Sequence, residues 1–445
     1  MIKFFSDKRF FKTLIYLAIP IMLNELINSA VNMLDTFMIG TLGDGPVAAV
    51  GLSNQVFFLF SVLSFGINSG ISIFMGQFMG KNDIKSLHKC MGLAFMLTLG
   101  VAFVFACGAR FFPELIMGIY SKDKAVIALG CDYLRIVAVA YVLTAIVIVF
   151  NSALKVTGST VQPMLTTLLA FCINFIGNYI FILKLGYGIK GAAMSTIIAR
   201  CCEIVVQFVA MAARKHPVLT KPSDYFSFNL SFCKPFVGVV VPVILNEAMW
   251  GFGTTAYNIA YKYSGTVAQA AVQISSTVQN LFVVAGIGIG AACAILLTNC
   301  LGAGNSKKAW DYSKRCLFFG SLLSIIMGGI LALCAPSIVS LFRLDPVAKG
   351  YALKMLYIVS IGLLFKTLNY INVCGILRSG GDTKFCLLMD GLSVWFIGLP
   401  MAFLGSAILH LPIYITFAMV YMEEVIKLLF GFKRVFSKKW LKTLV

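Results

Sequence analysis

The feature that most constrains this chain is a series of long apolar segments separated by short polar connections. Each segment reaches the length of about 20 residues that a helix needs to cross a bilayer. Hydrophobic residues make up 60% of the 445 residues and charged residues only 12%, whereas soluble proteins contain about 25% charged residues. The sequence therefore predicts an integral membrane protein that contacts the lipid bilayer over most of its surface.

Twelve segments are long enough to span the membrane. All are predicted to be α-helical, because a helix satisfies its own backbone hydrogen bonds where lipid offers no partner. They cover residues 13–37, 47–79, 91–112, 125–150, 161–183, 191–213, 235–261, 267–301, 316–338, 350–374, 385–406 and 409–431. The connections are too short for a soluble domain of any size.

The basic residues predict the orientation of these helices. Most of the 36 Lys and Arg residues lie in the N-terminal tail, the even-numbered connections and the C-terminal tail. Because basic connections stay on the cytoplasmic side, we expect both termini in the cytoplasm and a location in the cell membrane. The longest connection, 214–234, is predicted to be a cytoplasmic linker between an N-terminal lobe, 1–213, and a C-terminal lobe, 235–445.

Several other functions are excluded by composition. The net charge of +19 comes from short basic clusters, so nucleic acid is not an expected partner. The 13 Cys residues are scattered without a Cys-x-x-Cys motif, and the three His residues lie at or beyond the ends of apolar segments. No haem, zinc or other cofactor is therefore expected. An intramembrane enzyme would need a His-rich or paired-Asp motif within the spans, which this sequence lacks.

The two halves of the sequence repeat each other. Pro20-Ile-Met-Leu-Asn-Glu25 recurs as Pro242-Val-Ile-Leu-Asn-Glu247, and Leu154-Lys-x-x-Gly-x-Thr160 recurs as Leu377-Arg-x-x-Gly-x-Thr383 at almost the same separation. Because each repeat contains an even number of spans, six, both copies are expected to have the same orientation in the membrane. Transporters with such parallel repeats bind their substrate between the two copies.

Charged residues within the spans are the first candidates for function, since burying them in lipid costs several kcal/mol or more. Glu25 and Glu247 each follow a proline by five residues, and Pro20 and Pro242 are interpreted as bends beside a cavity. Lys366 is predicted either to pair with Glu247 or Asp390, or to reach an interface.

A second set of candidates surrounds Asp35 in the first span. Asn174 and Asn178 lie one turn apart on the fifth span, Asn151 lies on the fourth and Thr196 on the sixth. One carboxylate with several amide or hydroxyl oxygens suits a hard cation such as Na⁺. The carboxylate alone would also suit a proton.

Three strings resemble motifs of the multidrug and toxic compound extrusion (MATE) family of transporters. They are Asn32-Met-Leu-Asp-Thr-Phe-Met-Ile-Gly40, Gly186-x-Gly-x-x-Gly-Ala-Ala193 and Leu377-Arg-Ser-Gly-Gly-Asp-Thr383. The resemblance covers essentially the whole chain. It implies an all-α membrane protein in which twelve transmembrane helices form two pseudo-symmetric six-helix bundles, arranged as a V.

The resemblance also implies which residues act. Asp35, Asn151, Asn174 and Thr196 match the cation site of the family's N-lobe, and Asn178 stands where the family often has Asp. Glu247 is similar to an acid that some members carry on helix 7. Position 366 or 367, where an accompanying acid is found in some members, holds Lys or Thr, and Asp390 is instead the second carboxylate of the C-lobe.

The expected activity is secondary active efflux of amphipathic, cationic organic compounds in exchange for H⁺ or Na⁺ by a monomer. The loss of one carboxylate at position 178 weakens the attraction for Na⁺ and favours H⁺. The alternative within the same fold group is a flippase for lipid-linked precursors. Such flippases tend to have additional helices and a cationic central cavity.

Overall fold

The computed structural model of the protein describes residues 7–342 and 345–445. Every regular element in these residues is a helix. Twelve of the helices are long, and we number them α1 to α12. Their ranges are Lys8–Gly40, Asp44–Gly80, Ile84–Phe111, Lys124–Val156, Val161–Lys184, Gly188–Ala213, Leu230–Ser264, Thr266–Gly302, Ser306–Ser340, Pro346–Gly380, Thr383–Ile408 and Ile413–Phe436.

These helices confirm the twelve predicted spans, and most extend beyond them into polar sequence. Eleven are long and apolar enough to cross a membrane by length and composition. The twelfth, α12, is 24 residues long and carries the charged residues Glu423, Glu424 and Lys427. Two short helices, Pro113–Tyr120 and Pro222–Tyr225, were not predicted. Each begins at a proline, whose fixed φ suits the first helical position.

The chain forms two compact units. One is Leu23–Val240, and the other combines Met1–Met22 with Val241–Val445. The boundaries therefore fall within α1 and α7, close to Pro20 and Pro242. The division of the chain into lobes 1–213 and 235–445, joined by the linker 214–234, rests on the sequence repeat and the charge pattern. It remains a prediction.

The two units use the same helix pairs to build their cores. In Leu23–Val240, α4 packs against α2, α3 and α6, and α5 packs against α6. In the other unit, α10 likewise packs against α8, α9 and α12, and α11 packs against α12. The first core includes Phe60, Leu134 and Tyr141, all fully buried. This correspondence establishes two pseudo-symmetric six-helix bundles.

The second repeated motif forms the same turn in each unit. Gly158 and Gly381 have φ angles of +83° and +75°, a conformation that favours glycine because it has no Cβ. The Ser159 amide donates to the Leu154 carbonyl, and the Asp382 amide donates to the Leu377 carbonyl. These bonds end α4 and α10 in Schellman-type caps.

Stretches of wider π-helix interrupt three of the long helices. One covers Tyr179–Lys184 at the end of α5, directly after Asn178, and another covers Ile371–Leu377 in α10, directly before Arg378. Such stretches change the direction of the side chains that follow or precede them, and they are frequent at functional sites. The stretch in α5 follows Asn178 and the stretch in α10 precedes Arg378. Each of these two residues belongs to a network of polar side chains within its own unit.

Candidate functional site

The unit Leu23–Val240 contains a cavity of about 90 Å³. A water molecule requires roughly 10–15 Å³ on the same scale, so the cavity has room for several waters. Helices α1, α2, α4, α5 and α6 all contribute to its wall. The ionisable and polar side chains in the wall include Asp35, Asn54, Tyr133, Tyr141, Thr144, Asn174, Thr196 and Arg200, and the aromatic ones also include Phe57 and Phe171.

Four of the five residues predicted to bind the coupling ion form one chain of hydrogen bonds beside this cavity. Asn178 donates from Nδ2 to Asp35 Oδ1 over 2.5 Å and to Asn174 Oδ1 over 3.2 Å. Asn174 in turn donates to Thr196 Oγ1 over 3.5 Å. The spacing of Asn174 and Asn178 by one helical turn places both amides on the face of α5 that meets α1 and α6.

The fifth residue, Asn151 on α4, lies in a different set of contacts. Its Oδ1 accepts a hydrogen bond of 2.6 Å from Gln207 Nε2, and the Gln207 carbonyl accepts one of 3.1 Å from Gln162 Nε2. Asn151 does not line the cavity described above. The structure therefore brings Asp35, Asn174, Asn178 and Thr196 together and places Asn151 in a separate link between α4, α5 and α6.

A second polar chain starts at Arg200, which lines the same cavity. Its Nη1 donates to Glu203 Oε2 over 2.5 Å, and the Glu203 side chain is fully buried. Glu203 Oε1 accepts a hydrogen bond of 3.0 Å from Thr167, whose hydroxyl also accepts one of 3.0 Å from Asn24. The buried carboxylate thus has one guanidinium and one hydroxyl as partners, and Arg200 remains beside the cavity.

Glu25, the other acid of α1, lies outside this cavity. Its Oε1 is 3.8 Å from Lys155 Nζ on α4. The corresponding acid of the second repeat, Glu247, has a closer partner, because Arg378 Nη1 lies 2.7 Å from Glu247 Oε1. With a predicted span of 350–374, Arg378 is expected to lie in a connection. That placement was wrong, since α10 continues to Gly380 and the Arg378 side chain is only 4% exposed.

Asp390 is the centre of a larger charged cluster in the second unit. It accepts a hydrogen bond of 3.0 Å from Asn246, whose side-chain oxygen accepts one from Arg378. Lys427 Nζ lies 3.3 Å from Asp390 and 2.8 Å from Glu423. Asp390 is therefore linked to Glu247 through Asn246 and Arg378, and to α12 through Lys427.

Lys366 lies at the other end of this cluster. Its Nζ is 5.8 Å from the ring centroid of Tyr421, and it interacts electrostatically with Glu424. Glu424 Oε2 also accepts a hydrogen bond of 2.8 Å from Asn369. The two acids suggested as partners of Lys366 are instead held by Arg378 and Lys427.

Sequence reasoning missed the acids and the base of α12. Glu423 and Glu424 are not among the candidates predicted from the sequence, yet the side chain of Glu423 is only 7% exposed. Its hydrogen bond from Tyr257 joins α12 to α7. The separation of Glu423 and Lys427 by four residues was the available signal, because such residues face each other on a helix.

Pro20 and Pro242 both lie inside long helices rather than at their ends. The α1 helix continues through Pro20, and Pro242 lies within Leu230–Tyr261. No group of three His, Cys, Asp or Glu side chains that could hold a metal ion occurs in residues 7–342 and 345–445. A Na⁺ ion at Asp35 would therefore have to use neutral oxygens for its remaining ligands.

Comparison with known proteins gives a consistent result. The MatE family model matches residues 20–180 and 242–404, one match in each half. The chain is 24% identical over 400 residues to "Probable multidrug resistance protein YoeA" of Bacillus subtilis, which covers 87% of this chain and 85% of that protein. It is 22% identical over 395 residues to "Multidrug and toxin extrusion protein 1" of Homo sapiens, or 88% of this chain and 68% of that protein.

Solved structures agree on the fold. The "Outward-facing conformation of a multidrug resistance MATE family transporter of the MOP superfamily" matches with a TM-score of 0.87 over 96% of both chains at 19% identity. "Crystal structure of MATE in complex with MaL6" matches with a TM-score of 0.88 at 19% identity, over 96% of this chain and 97% of that one. The chain therefore belongs to the MatE family, the multidrug and toxic compound extrusion transporters of membranes.

Proposed function

We propose that this transporter exports amphipathic, cationic organic compounds in exchange for protons, and that Asp35 carries the proton. The observation that supports this most directly is the position of Asp35. Its carboxylate lines the cavity of the unit Leu23–Val240 and accepts a hydrogen bond from Asn178. Among residues 7–342 and 345–445 it is the one carboxylate in the cavity wall, so an incoming cation and an incoming proton would compete for the same oxygens.

The contacts of Asp35 favour a proton over Na⁺ as the coupling ion. A hard metal ion in a protein needs several oxygen ligands around it, whereas a proton needs one lone pair. Asn178 directs its amide nitrogen, not its oxygen, at Asp35. Burial also disfavours the ionised form of a carboxylate in general.

The exchange then follows from the charge of one side chain. An ionised Asp35 attracts a cationic substrate into the cavity from the inner side of the membrane. A proton that enters from the outer side neutralises Asp35 and removes that attraction, so the substrate leaves. Release of the proton on the inner side then returns the carboxylate to its ionised form. We also infer that the protein works as a monomer in the cell membrane with both termini in the cytoplasm.

The test is transport by the purified full-length protein in liposomes, with H⁺ and Na⁺ gradients imposed independently. We expect the wild type to move ethidium against a concentration gradient when a pH gradient is imposed and not when a Na⁺ gradient is. Asp35→Asn is expected to abolish this coupled transport, by at least about a hundredfold, while ethidium binding is partly kept. Asn178→Asp adds a second carboxylate and is expected to increase any stimulation by Na⁺.

Asp132→Asn is the matched control, since Asp132 is an exposed carboxylate on α4 that pairs with Lys190. It is expected to transport like the wild type. Normal pH-driven transport by Asp35→Asn would show that Asp35 is structural and would move attention to Glu247 and Asp390. Transport of a lipid-linked sugar without any response to either gradient would favour the flippase alternative.

A further inference from the structure

In the second unit, the start of α1 packs against the start of α9. Arg315 Nη1 on α9 lies 2.8 Å from Asp7 Oδ2. The rings of Phe10 and Tyr312 are 4.6 Å apart, and the Arg315 guanidinium lies 5.4 Å from the centre of the Phe10 ring. The basic residues at the start of α1 therefore lie beside those at the start of α9.

The residues after α12 contact the same end of the unit. Trp440 is fully buried, and the Thr443 hydroxyl donates over 3.1 Å to the carbonyl of Leu301, near the end of α8. Lys438 Nζ lies 5.1 Å from the centre of the Trp310 ring on α9. These contacts hold the C-terminal residues against α8 and α9, so their lysines join the bases of α1 and α9.

Eight exposed bases at this end form no ion pair within the part of the chain that the structure describes. We call them the basic surface, and they are Lys8, Arg9, Lys12, Lys307, Lys308, Lys433, Lys438 and Lys439. The acids at this end are already paired, in the ion pairs Asp7–Arg315, Asp311–Lys314 and Asp382–Arg434. The basic surface is therefore complementary in charge to an anionic partner.

Apolar side chains continue from the basic surface along α9. Phe318, Leu322 and Ile325 follow each other at spacings of four and three residues, so they share one face of the helix, and all three are exposed. A free anion would contact the bases alone. A phospholipid would use both parts, because its phosphate can contact the bases while its acyl chains lie along the apolar face.

We propose that the basic surface binds the headgroups of anionic phospholipids, and that the bound lipid stabilises the second unit by joining α1, α9 and the C-terminal residues. Clusters of about four to eight Lys and Arg residues at the end of a transmembrane helix favour anionic lipids. This end of the unit is also the one predicted to face the cytoplasm, where the leaflet has a negative surface potential. The inference does not depend on the substrate or on the coupling ion.

The test compares two lipids that have the same acyl chains and differ in headgroup charge. Binding of dioleoylphosphatidylglycerol and of dioleoylphosphatidylcholine to the purified full-length protein in detergent is measured by native mass spectrometry. Each base near anionic headgroups contributes roughly fivefold to affinity. We expect Lys307→Gln/Lys439→Gln to lose at least about tenfold in affinity for phosphatidylglycerol and less than about twofold for phosphatidylcholine.

Lys262→Gln/Lys349→Gln is the control with the same change in charge. Lys262 lies near the end of α7 and Lys349 near the start of α10, so the lengths of α8 and α9 separate them from the basic surface. This variant is expected to bind both lipids like the wild type. Thermal unfolding gives a second measurement. Phosphatidylglycerol should raise the midpoint of the wild type and of the control, and should raise that of Lys307→Gln/Lys439→Gln much less.

Three results would overturn the proposal. One is equal affinity of the wild type for the two lipids. Another is the same affinity for phosphatidylglycerol in the two double variants, which would mean that binding follows net charge and not this surface. The third is stabilisation by inorganic phosphate equal to that by phosphatidylglycerol, which would mean that the surface binds a free anion. Wild-type affinity for phosphatidylcholine in Lys307→Gln/Lys439→Gln shows that this variant is folded.

Discussion

At the residue scale, the repeat shows that Asp35 has no carboxylate at the equivalent position of the second repeat. When Pro20 is aligned with Pro242, Asp35 falls on Tyr257, and Tyr257 donates a hydrogen bond to Glu423. A phenol cannot replace the carboxylate in proton exchange near neutral pH, because its ordinary pKa is about 10. In the second unit, Glu247 is held instead by Arg378, and Asp390 and Glu423 are held by Lys427.

His216 in the linker provides a pH-dependent contact outside the membrane. Its Nε2 is 2.9 Å from the Ser159 hydroxyl, and its Nδ1 accepts a hydrogen bond of 3.3 Å from the Val218 amide. Burial lowers the pKa of His216 below its ordinary value of 6.5, and the positive charge of Arg214 lowers it further. Protonation of Nδ1 would remove the bond from Val218.

The sign of the pH dependence follows from that shift. Because the folded protein holds His216 in its neutral form, the contribution to stability is fully present above about pH 6.5 and is lost as the pH falls through the folded pKa. We expect the protection of the Val218 amide against hydrogen exchange, corrected for the intrinsic rate, to fall between pH 7.5 and 5.5. In His216→Gln the corrected protection should not depend on pH. An equal loss in both proteins would contradict this role for His216.

At the scale of the helices, the repeated sequence motifs meet as ion pairs. Glu25 and Lys155 join α1 to α4, and Glu247 and Arg378 join α7 to α10. The motifs were found as separate repeats in the sequence, and the structure brings the acid of one into contact with the base of the other in both units. The two pairs differ in burial, since Lys155 is 27% exposed and Arg378 is 4% exposed.

This difference predicts unequal costs of substitution. Arg378→Leu leaves Glu247 without its cation in a buried site, which should reduce stability by about 3–5 kcal/mol. Lys155→Leu should cost less than about 1 kcal/mol, because its longer and more exposed pair contributes little. Thermal unfolding followed by circular dichroism at a fixed heating rate should therefore give a much lower midpoint for Arg378→Leu. Equal midpoints would mean that burial does not set the strength of these pairs.

The prolines of α1 and α7 belong to the same scale. Each lies within two residues of the place where its helix passes from one compact unit to the other. A proline inside a helix removes one backbone hydrogen bond and permits a bend. We expect Pro20→Ala and Pro242→Ala to reduce transport severalfold while thermal stability stays the same or rises, since alanine restores the helix. Transport at the wild-type rate by both variants would leave no role for bending there.

The sequence predicted the helices better than it predicted the partners of their charged residues. Apolar length is a local property, so all twelve spans could be located. The contact of Asp35 with Asn178 followed from matching residues to a known family. The contact of Asn151 with Gln207 and the burial of Arg378 did not, because each depends on how helices distant in sequence are rotated against each other. The Glu423–Lys427 and Arg200–Glu203 pairs did carry a local signal, because residues four or three apart face each other on a helix.

At the scale of the whole molecule, the second unit holds more buried charge than the first. Its cluster contains the acids Glu247, Asp390, Glu423 and Glu424 and the bases Lys366, Arg378 and Lys427. Charged groups buried in this way are costly unless each has a partner. Because the three bases of the cluster nearly balance its four acids, the carboxylates there have cations of the protein as partners, which agrees with the assignment of proton exchange to Asp35.

The orientation of the molecule in the membrane yields the last prediction. The concentration of Lys and Arg in the tails and even-numbered connections predicts that both termini lie in the cytoplasm. Asp44, at the start of α2, would then be outside, and Arg214, at the end of α6, would be inside. Both residues are exposed, so a cysteine at either position is open to reagents.

A Cys-free background is needed for this measurement, because the chain has 13 Cys residues. In intact cells, a membrane-impermeant maleimide should label Asp44→Cys and should not label Arg214→Cys. Permeabilised cells serve as the control, since both variants should then be labelled to the same extent. The opposite pattern in intact cells would show that the orientation in the membrane is the reverse of the predicted one. Asp35 would still be the carboxylate of the cavity, but protons driven inward would then reach it from the other end of the helices, and the proposed direction of export would be wrong.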